Sequence, residues 1–332
     1  MLNCTITEQH LTLKYTWKIS RNESDFKTNF IVHVGDEKYS GRGEVAPNIR
    51  YGESPDNIKE QFTEFLKAGT PALKDISLLQ NSLDRMQLCS ALRFGIESAY
   101  IHYLCDSTGK SVSEFFKLVP AVSVATAYTL PIMDPGKIKE FYKKNSLSRF
   151  QWLKLKVGVD DALEIIKEAS RHSTQPFMID ANEAWKDVEA LCGFLGKIKK
   201  YRILFIEQPL PAGLNDEYAY LKKNSPFELM ADESVLAEPD FGLLKQQFHG
   251  VNMKLMKAGG YLNGIRILTE AKRHDLKTMI GCMVETTLGI SSALHLSSGV
   301  EYIDLDSFLI IKDEPFKMVK EEKGMIEVIH RS

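Results

Sequence analysis

The first 45 residues carry the alternating apolar and polar pattern of antiparallel strands. The apolar residues of the first predicted strand lie two positions apart and share one face: Leu11, Leu13, Tyr15, Trp17 and Ile19. Residues 29–34 are rich in β-branched side chains and predict a second strand. Gly35-Asp36 supplies a turn before a third predicted strand at residues 38–44. The chain therefore begins with a small antiparallel sheet.

From residue 55 to about residue 109 the apolar positions follow the period of a helix. Residues 57–66 have near-helical spacing, and residues 92–104 place a stripe of apolar side chains on one helix face. We therefore assign residues 1–118 to an α+β unit, in which helices follow the sheet.

Six later segments each end a hydrophobic run with acidic residues or lysine, at nearly constant intervals. They are WLKLKVG (152–158), FMIDAN (177–182), LFIEQP (204–209), LMADES (229–234), VNMKL (251–255) and YIDLDSF (302–308). The steps from Lys156 to Asp180, Glu207, Asp232 and Lys254 are 24, 27, 25 and 22 residues. One strand, one helix and their turns occupy that length, so the pattern predicts a (β/α) array with a functional group at each strand end.

Eight strands can be counted in this array. Residues 121–130 supply the first, residues 278–283 the seventh and residues 302–306 the eighth, and helical stretches such as 161–171 and 186–199 separate them. Alternation of this kind predicts parallel strands. We therefore expect a (β/α) barrel, a modified TIM barrel, over residues 119–308. The tail, residues 309–332, is expected to return to the N-terminal unit and complete a capping domain.

The composition removes several classes of function. The 332 residues are 44% hydrophobic and carry a formal charge of −2, which gives no bias toward nucleic acid. Five scattered cysteines without a CxxC pair argue against a disulfide framework or a zinc ribbon. The sequence contains neither a leader pattern nor eighteen successive apolar residues. We expect a cytoplasmic protein without membrane or nucleic-acid partners, and a homo-oligomer is compatible with the sequence.

Asp180, Glu207 and Asp232 end three consecutive predicted strands. The C-terminal ends of parallel barrel strands converge on one face, so the three carboxylates are expected in one small space. They repel each other strongly unless a cation lies between them. Oxygen ligands without histidine or cysteine favour Mg²⁺ over zinc or copper.

Lys156 and Lys254 end the second and sixth strands, which face each other across an eight-stranded barrel. A partly desolvated lysine near a dication has a lowered pKa and can act as a base near neutral pH. Two such lysines can remove a proton from one face of a carbon and return one to the other. Lys154, two residues before Lys156, points to the same face and is placed to contact a substrate carboxylate. The alternative is that the lysines only neutralise the carboxylates.

The segments LKLKVG, IDANEAW, IEQPLP, MADESV and NMKLMKAGG resemble the barrel-strand motifs of the enolase superfamily, in the subgroup of muconate-lactonising enzymes and dipeptide epimerases. The resemblance covers essentially the whole chain. It implies that Asp180, Glu207 and Asp232 bind Mg²⁺ and that Lys156 and Lys254 are the acid/base pair. It also implies a 1,1-proton transfer through an enediolate of the substrate carboxylate.

Asp304 and Asp306 narrow the substrate class. This Asp-x-Asp pair of the eighth strand resembles the one with which dipeptide epimerases hold the α-ammonium group of their substrate, and two carboxylates on one strand face suit a cation. The implied reaction is inversion of the C-terminal residue of a dipeptide, L-Ala-D/L-Glu or a related one. The likeness further implies substrate contacts from Thr129 and from the backbone around Cys282 and Val284.

Two loops of the N-terminal unit, residues 20–24 and 48–54, are expected to close over the barrel mouth and set specificity. They resemble the corresponding loops of L-Ala-D/L-Glu epimerases, and Arg21 is placed to pair with an acidic substrate side chain, although Glu23 and Asp25 nearby favour a cationic one.

Four alternatives remain open. An N-acylamino acid racemase or an o-succinylbenzoate synthase shares the catalytic residues but has no use for the Asp304 and Asp306 pair as an ammonium site. A ligand-binding barrel without catalysis is expected to lack one of the five core groups. A Schiff-base aldolase does not need three clustered acids.

Overall fold

Three antiparallel strands open the chain, as the alternating pattern predicts. The structure is a computed structural model that describes residues 2–69 and 75–329. Its first strands are β1 (Asn3–Lys18), β2 (Glu23–Gly35) and β3 (Ser40–Val45), paired in that order. On β1, Leu11 and Leu13 are buried and pack with Val284 of the second unit and with Ile310 and Ile311 of the tail. The face predicted from the two-residue period is therefore the face that meets the barrel.

Helices cover the other side of this sheet. They are α1 (Pro55–Lys67), α2 (Ile76–Arg85), α3 (Ser90–Thr108) and α4 (Val112–Phe115). The Ser54 side chain caps α1 by accepting from the Asn57 backbone N–H, and Pro55 takes the first helical position. Helix α3 approaches β3 so closely that a Cβ at Gly43 would lie 2.0 Å from the Gly95 carbonyl oxygen. Glycine is therefore required at position 43.

The second unit is a parallel barrel, which confirms the predicted fold class. Within the described residues its eight strands are β5 (Ala127–Leu130), β6 (Trp152–Lys156), β7 (Phe177–Asp180), β8 (Ile203–Glu207), β9 (Glu228–Ala231), β10 (Gly250–Met253), β11 (Lys277–Gly281) and β12 (Tyr302–Asp304). They are hydrogen-bonded in chain order from β5 to β12. The Thr129 hydroxyl donates to Asp304 at 3.1 Å and thereby links the first strand to the last.

The helices between the strands pack on the outside. They are α5 (Ile138–Lys144), α6 (Ala162–His172), α7 (Val188–Ile198), α8 (Asn215–Asn224), α9 (Phe241–Gln247), α10 (Leu255–Ala258), α11 (Tyr261–Arg273) and α12 (Thr287–Leu294). Among the described residues, every helix is too short or too polar to cross a bilayer.

Alternation along the strands sorts side chains between the barrel interior and the helices. On β6, Leu153 and Leu155 join the main hydrophobic core, whereas Lys154 faces the interior and is 1% exposed. A separate apolar cluster fills the N-terminal half of the barrel: Ala127, Met178, Phe205, Met230 and Met279, with Trp152, Leu204 and Tyr302 packed against them. Two residues further along these strands, the interior becomes polar. The chemistry is therefore confined to the C-terminal end of the barrel.

The tail divides between the two units. Ile311 bridges Leu13 of β1, and the Lys312 N–H donates to the Thr12 carbonyl, as expected for a tail that returns to the N-terminal unit. The last strands, β13 (Val319–Glu322) and β14 (Met325–Val328), instead pair with β4 (Val124–Ala125) beside the start of the barrel. We keep the division at residues 118 and 119, between α4 and β4, as a proposal. Residues 1, 70–74 and 330–332 of the predicted capping domain lie outside the described residues.

Candidate active site

Asp180, Glu207 and Asp232 converge at the C-terminal end of the barrel and are called the carboxylate triad below. One carboxylate oxygen of each lies within 4.8 Å of those of the other two, and all three residues are buried. Glu207 Oε2 has no aligned hydrogen bond within the described part of the chain, although the Lys154 ammonium lies 2.8 Å from it. Burial and then the nearby Asp180 carboxylate raise the pKa of Glu207 to about 7, which reflects the repulsion within the triad. A buried set of carboxylate oxygens that repel one another fits a divalent cation such as Mg²⁺.

Lys154 lies beneath the triad and joins it to β12. Its Nζ is 3.0 Å from Asp180 Oδ2, 2.8 Å from Glu207 Oε2 and 2.8 Å from Asp304 Oδ2. Burial lowers the pKa of Lys154, but the surrounding carboxylates outweigh burial and hold the pKa well above its usual range. Lys154 therefore carries a fixed positive charge at the cavity floor.

Lys156 and Lys254 border the cavity from β6 and from the residue after β10, four strands apart. Lys156 Nζ donates to Asp180 Oδ2 at 2.5 Å and to Asn182 Oδ1 at 3.0 Å. Lys254 Nζ donates to Asp232 Oδ2 at 2.9 Å. Burial lowers the pKa of Lys254, but the Asp232 carboxylate outweighs burial and raises it well above its usual value. The lowered lysine pKa expected from the sequence therefore requires that the charge of Asp232 be neutralised.

Two further residues orient the triad and were not singled out from the sequence. Asn252 Nδ2 donates to Glu207 Oε1 at 2.8 Å. Lys257, in α10, is buried and donates to Asp232 Oδ1 at 2.6 Å. Asn252 lies two residues before Lys254 and shares its strand face. Lys257 follows Lys254 by about one helical turn. Both spacings are visible in the sequence.

Asp304 and Asp306 lie on the β12 side of the cavity and are both buried. Lys154 and the Thr129 hydroxyl donate to Asp304, and the Thr129 N–H donates to Asp306 Oδ2 at 2.5 Å. Burial and then Asp304 raise the pKa of Asp306 to about 7. Thr129 thus positions the carboxylate pair.

The segment after β11 lies between the cap and the cavity. Cys282 and Val284 line the cavity, as expected for substrate contacts, but the Cys282 thiol donates to the Asp304 carbonyl at 3.3 Å. The Val284 carbonyl accepts from Asn29 Nδ2 of β2 at 2.9 Å. That carbonyl already has a partner in the cap.

The two cap loops also line the cavity. Arg21 lies there, but its guanidinium donates to Glu183 Oε2 at 2.9 Å and to Glu233 Oε1 at 2.8 Å. Arg50 donates to both carboxylate oxygens of Glu183, each at 2.9 Å. Arg21 is therefore within the predicted site, with its donors directed at protein carboxylates. Sequence reasoning missed Glu183 and Glu233, which follow Asp180 and Asp232 in the same turns.

Comparison with known proteins gives the same family as the motifs. Residues 137–323 match the family model described as enolase C-terminal domain-like. An L-Ala-D/L-amino acid epimerase from Flavobacterium johnsoniae is 31% identical, over 97% of this chain and 95% of that protein. An N-acetyl-D-glutamate racemase from a Pseudoalteromonas species is 30% identical, over 85% of this chain and 88% of that protein.

Solved structures share the architecture over the full chain. An enolase family member from Agrobacterium tumefaciens with homology to dipeptide epimerases, solved with sodium and L-Ala-L-Glu, superposes with a TM-score of 0.90 at 26% identity. The alignment covers 99% of this chain and 98% of that one. The fold, the family model and the relatives agree, and the chain belongs to the enolase C-terminal domain-like family.

Proposed function

We propose that this protein is a dipeptide epimerase, an isomerase that inverts the α-carbon of the C-terminal residue of its substrate. The observation that carries the proposal is one cavity lined by two lysines from opposite strands, by the Asp304 and Asp306 pair, and by Asp232 of the buried carboxylate triad. The cavity encloses about 410 Å³ between barrel and cap, which suits a small peptide. All five core groups are present, which speaks against a barrel that only binds a ligand.

The triad is the proposed Mg²⁺ site. Its three buried carboxylates, which offer oxygen ligands within 4.8 Å of one another, and the raised pKa of Glu207 support a bound dication. When bound, Mg²⁺ supplies positive charge beside the substrate carboxylate, where negative charge develops as the α-proton leaves. Asn252 and Lys257 hold Glu207 and Asp232 in place.

The two lysines are the proposed proton carriers. The neutral amine of one takes the α-proton from one face of the carbon, and the ammonium of the other gives a proton to the opposite face. Asn182 orients Lys156 through a 3.0 Å hydrogen bond, and Asp232 orients Lys254 at 2.9 Å. Lys154, with its fixed charge, attracts the substrate carboxylate toward the cavity floor.

Asp304 and Asp306 are the proposed site for the α-ammonium group of the N-terminal residue. They are two buried carboxylates, and among the described residues Lys154 pairs with Asp304. The raised pKa of Asp306 is the mark of a carboxylate that lacks a compensating charge. A substrate ammonium supplies that charge, whereas the acyl group of an N-acylamino acid does not. The second candidate function, an N-acylamino acid racemase, is favoured by the 30% identical N-acetyl-D-glutamate racemase.

For the side chain of the inverted residue we propose an acid, as in L-Ala-D/L-Glu. Lys27 of β2 lines the cavity, and among the described residues no carboxylate offsets the effect of burial on its pKa. Burial lowers the pKa of Lys27, so this lysine gains from an anionic ligand. Because Arg21 is engaged by Glu183 and Glu233, Lys27 is the cavity cation best placed to meet a substrate carboxylate.

The deciding experiment is α-proton exchange in D₂O followed by NMR, with and without Mg²⁺. The panel contains L-Ala-L-Glu, L-Ala-L-Gln, L-Lys-L-Lys and N-acetyl-L-glutamate. We expect Mg²⁺-dependent exchange at the C-terminal residue of L-Ala-L-Glu and build-up of the other diastereomer. Exchange of N-acetyl-L-glutamate alone would instead assign the racemase function. If none of the four exchanges, the assignment of Lys156 and Lys254 fails.

A further inference from the structure

Four charged side chains meet where the two cap loops reach the barrel. Arg21 belongs to the loop between β1 and β2, and Arg50 belongs to the turn Ile49–Tyr51. Glu183 and Glu233 follow β7 and β9. Arg50 binds the Glu183 carboxylate with Nε and Nη2, both at 2.9 Å, in the paired geometry that favours arginine–carboxylate contacts.

Arg21 extends the same cluster to a second strand end. Its Nη1 donates to Glu183 Oε2 at 2.9 Å and to the Asn182 carbonyl at 2.8 Å, and its Nη2 donates to Glu233 Oε1 at 2.8 Å. The Ser20 hydroxyl donates to the same Asn182 carbonyl at 2.9 Å. Two separate cap loops thus use one carboxylate of the barrel.

Glu183 is itself rigidly held. Its side chain is 6% exposed in the ion pair, and the Ala212 N–H donates to Oε1 at 2.9 Å. Asn182 and Glu183 both have left-handed backbones, with φ of 43° and 64°, and the Glu183 N–H donates to the Gln208 carbonyl at 2.8 Å. Non-glycine residues keep such a backbone only where their surroundings fix it. The turn after β7 is therefore a firm anchor for the two cap loops.

The same turn touches the proposed chemistry. Asn182 Oδ1 accepts from Lys156 Nζ, and Asn182 Nδ2 approaches Glu233 Oε1 at 3.4 Å. Tyr51, next to Arg50, lines the cavity together with Lys254. Loss of the loop contacts therefore opens the cavity to water on the side where a proton is to be moved.

We infer that Glu183, with Glu233, is a positioning residue that latches both cap loops over the barrel mouth, and that Arg21 serves this latch and does not select an acidic substrate side chain. The inference rests on the proposed epimerase function for its kinetic consequences only. The two cations and two anions compensate one another, so Arg21 offers a substrate carboxylate no uncompensated charge. Because both arginines use Glu183, order in either loop supports order in the other.

Limited trypsin digestion tests the latch without any substrate, because trypsin cleaves after Arg21 and Arg50. In Glu183→Gln we expect cleavage at both bonds to become at least about tenfold faster, since the neutral amide loses the charge-assisted contacts. The matched control is Glu23→Gln, in the same loop, where Glu23 is exposed and lies 3.9 Å from Lys18. Cleavage in Glu23→Gln is expected at the wild-type rate. Equal rates in Glu183→Gln and the wild type would overturn the latch.

Reciprocal variants test the shared carboxylate and stand in if Glu183→Gln fails to fold. Arg50→Met should speed cleavage after Arg21, and Arg21→Met should speed cleavage after Arg50. If each variant affects only its own loop, the two loops close independently and the inference is wrong.

Kinetics separate a latch from a specificity residue. For Arg21→Met and Glu183→Gln we expect kcat/KM for L-Ala-L-Glu and for L-Ala-L-Gln to fall by the same factor, about 10- to 100-fold. If Arg21→Met lowers activity on L-Ala-L-Glu alone, Arg21 binds the substrate acid and the inference falls. A wild-type protein that is inactive on both dipeptides would refute the proposed function, while the digestion result would still decide the latch.

Discussion

Replacement of Lys254 by methionine separates the roles of the two proposed proton carriers, Lys156 and Lys254, which lie on opposite sides of the barrel. Lys254 is 7% exposed, and among the described residues it forms an ion pair with Asp232 at 2.9 Å. In Lys254→Met the Asp232 carboxylate keeps Lys257 at 2.6 Å, and the new side chain has similar volume. A buried charge that loses its sole partner costs about 3–5 kcal/mol. Because Asp232 keeps Lys257, we expect Lys254→Met to lower the free energy of unfolding by less than this.

The effect on activity should be larger and stereospecific. Loss of a general acid or base lowers a rate by about 10²- to 10⁴-fold, which is about 3–5 kcal/mol of transition-state stabilisation. Epimerisation should fall by at least this much in both directions, because every turnover needs one lysine as base and the other as acid. Lys156 remains, so one diastereomer should still exchange its α-proton in D₂O with retention of configuration.

The assay is NMR of each purified diastereomer of L-Ala-Glu in D₂O with Mg²⁺. Lys254→Met should exchange one diastereomer and Lys156→Met the other. Methionine in place of Lys245, which lies in α9, is the matched control and should leave both rates unchanged. If Lys254→Met exchanges both diastereomers equally, or epimerises at the wild-type rate, the two-lysine assignment is refuted.

Four further outcomes follow from the same contacts. Asp306→Asn should lower kcat/KM for L-Ala-L-Glu at least about 100-fold through loss of a charged contact to the ammonium, with N-acetyl-L-glutamate as the comparison substrate; an equal loss for both would contradict the ammonium site. Lys27→Met should raise KM for L-Ala-L-Glu about tenfold but leave L-Ala-L-Gln unchanged in steady-state assays. Mg²⁺ should raise the midpoint of thermal unfolding, since it relieves repulsion in the carboxylate triad, and replacement of all three acids by amides should abolish that shift. Burial and then Glu44 raise the pKa of Glu285 from its ordinary 4.5 to about 8, so between these two pH values the folded protein retains a proton that the unfolded chain releases. The free energy of unfolding should therefore fall as pH rises over this range, by up to about 1.4 kcal/mol per pH unit. Glu285→Gln should remove this pH dependence in urea unfolding curves.

The barrel and its central residues were predictable because one rule connects them. Each strand ends in a functional group, and the parallel connection brings every strand end to the same face. Lys156, Asp180, Glu207, Asp232 and Lys254 recur at an interval set by one strand and one helix. The local sequence therefore predicts both the fold and which side chains meet.

The partners of the cap cations were not predictable in this way. Arg21 and Glu233 are 212 residues apart, and neither the loop sequence nor a strand period links them. The same holds for Lys27. The strand pattern shows which face of the sheet Lys27 occupies, but it does not show that the described barrel residues offer this lysine no carboxylate. Such pairings depend on how one domain docks on another, which the periodicity of either domain does not encode. The pairing of the hairpin β13–β14 with β4 was also missed. The partner strand β4 has only two residues, which is too short to give a strand pattern in the sequence.

Docking of the cap is itself fixed by buried polar chemistry close to the cavity. Glu44 of β3 accepts from the Thr286 and Gly289 N–H groups at the start of α12, at 3.0 and 2.9 Å, so a cap carboxylate stabilises a barrel helix. Asn29 donates to Glu44 at 2.8 Å and to the Val284 carbonyl at 2.9 Å. Burial makes these contacts costly to break. The cap sheet is thus rigidly attached beside the segment after β11, and the adjustable part of the enclosure is reduced to the two loops that carry Arg21 and Arg50. A rigid sheet with two latched loops allows the cavity to admit a dipeptide and then exclude water without movement of the domain as a whole.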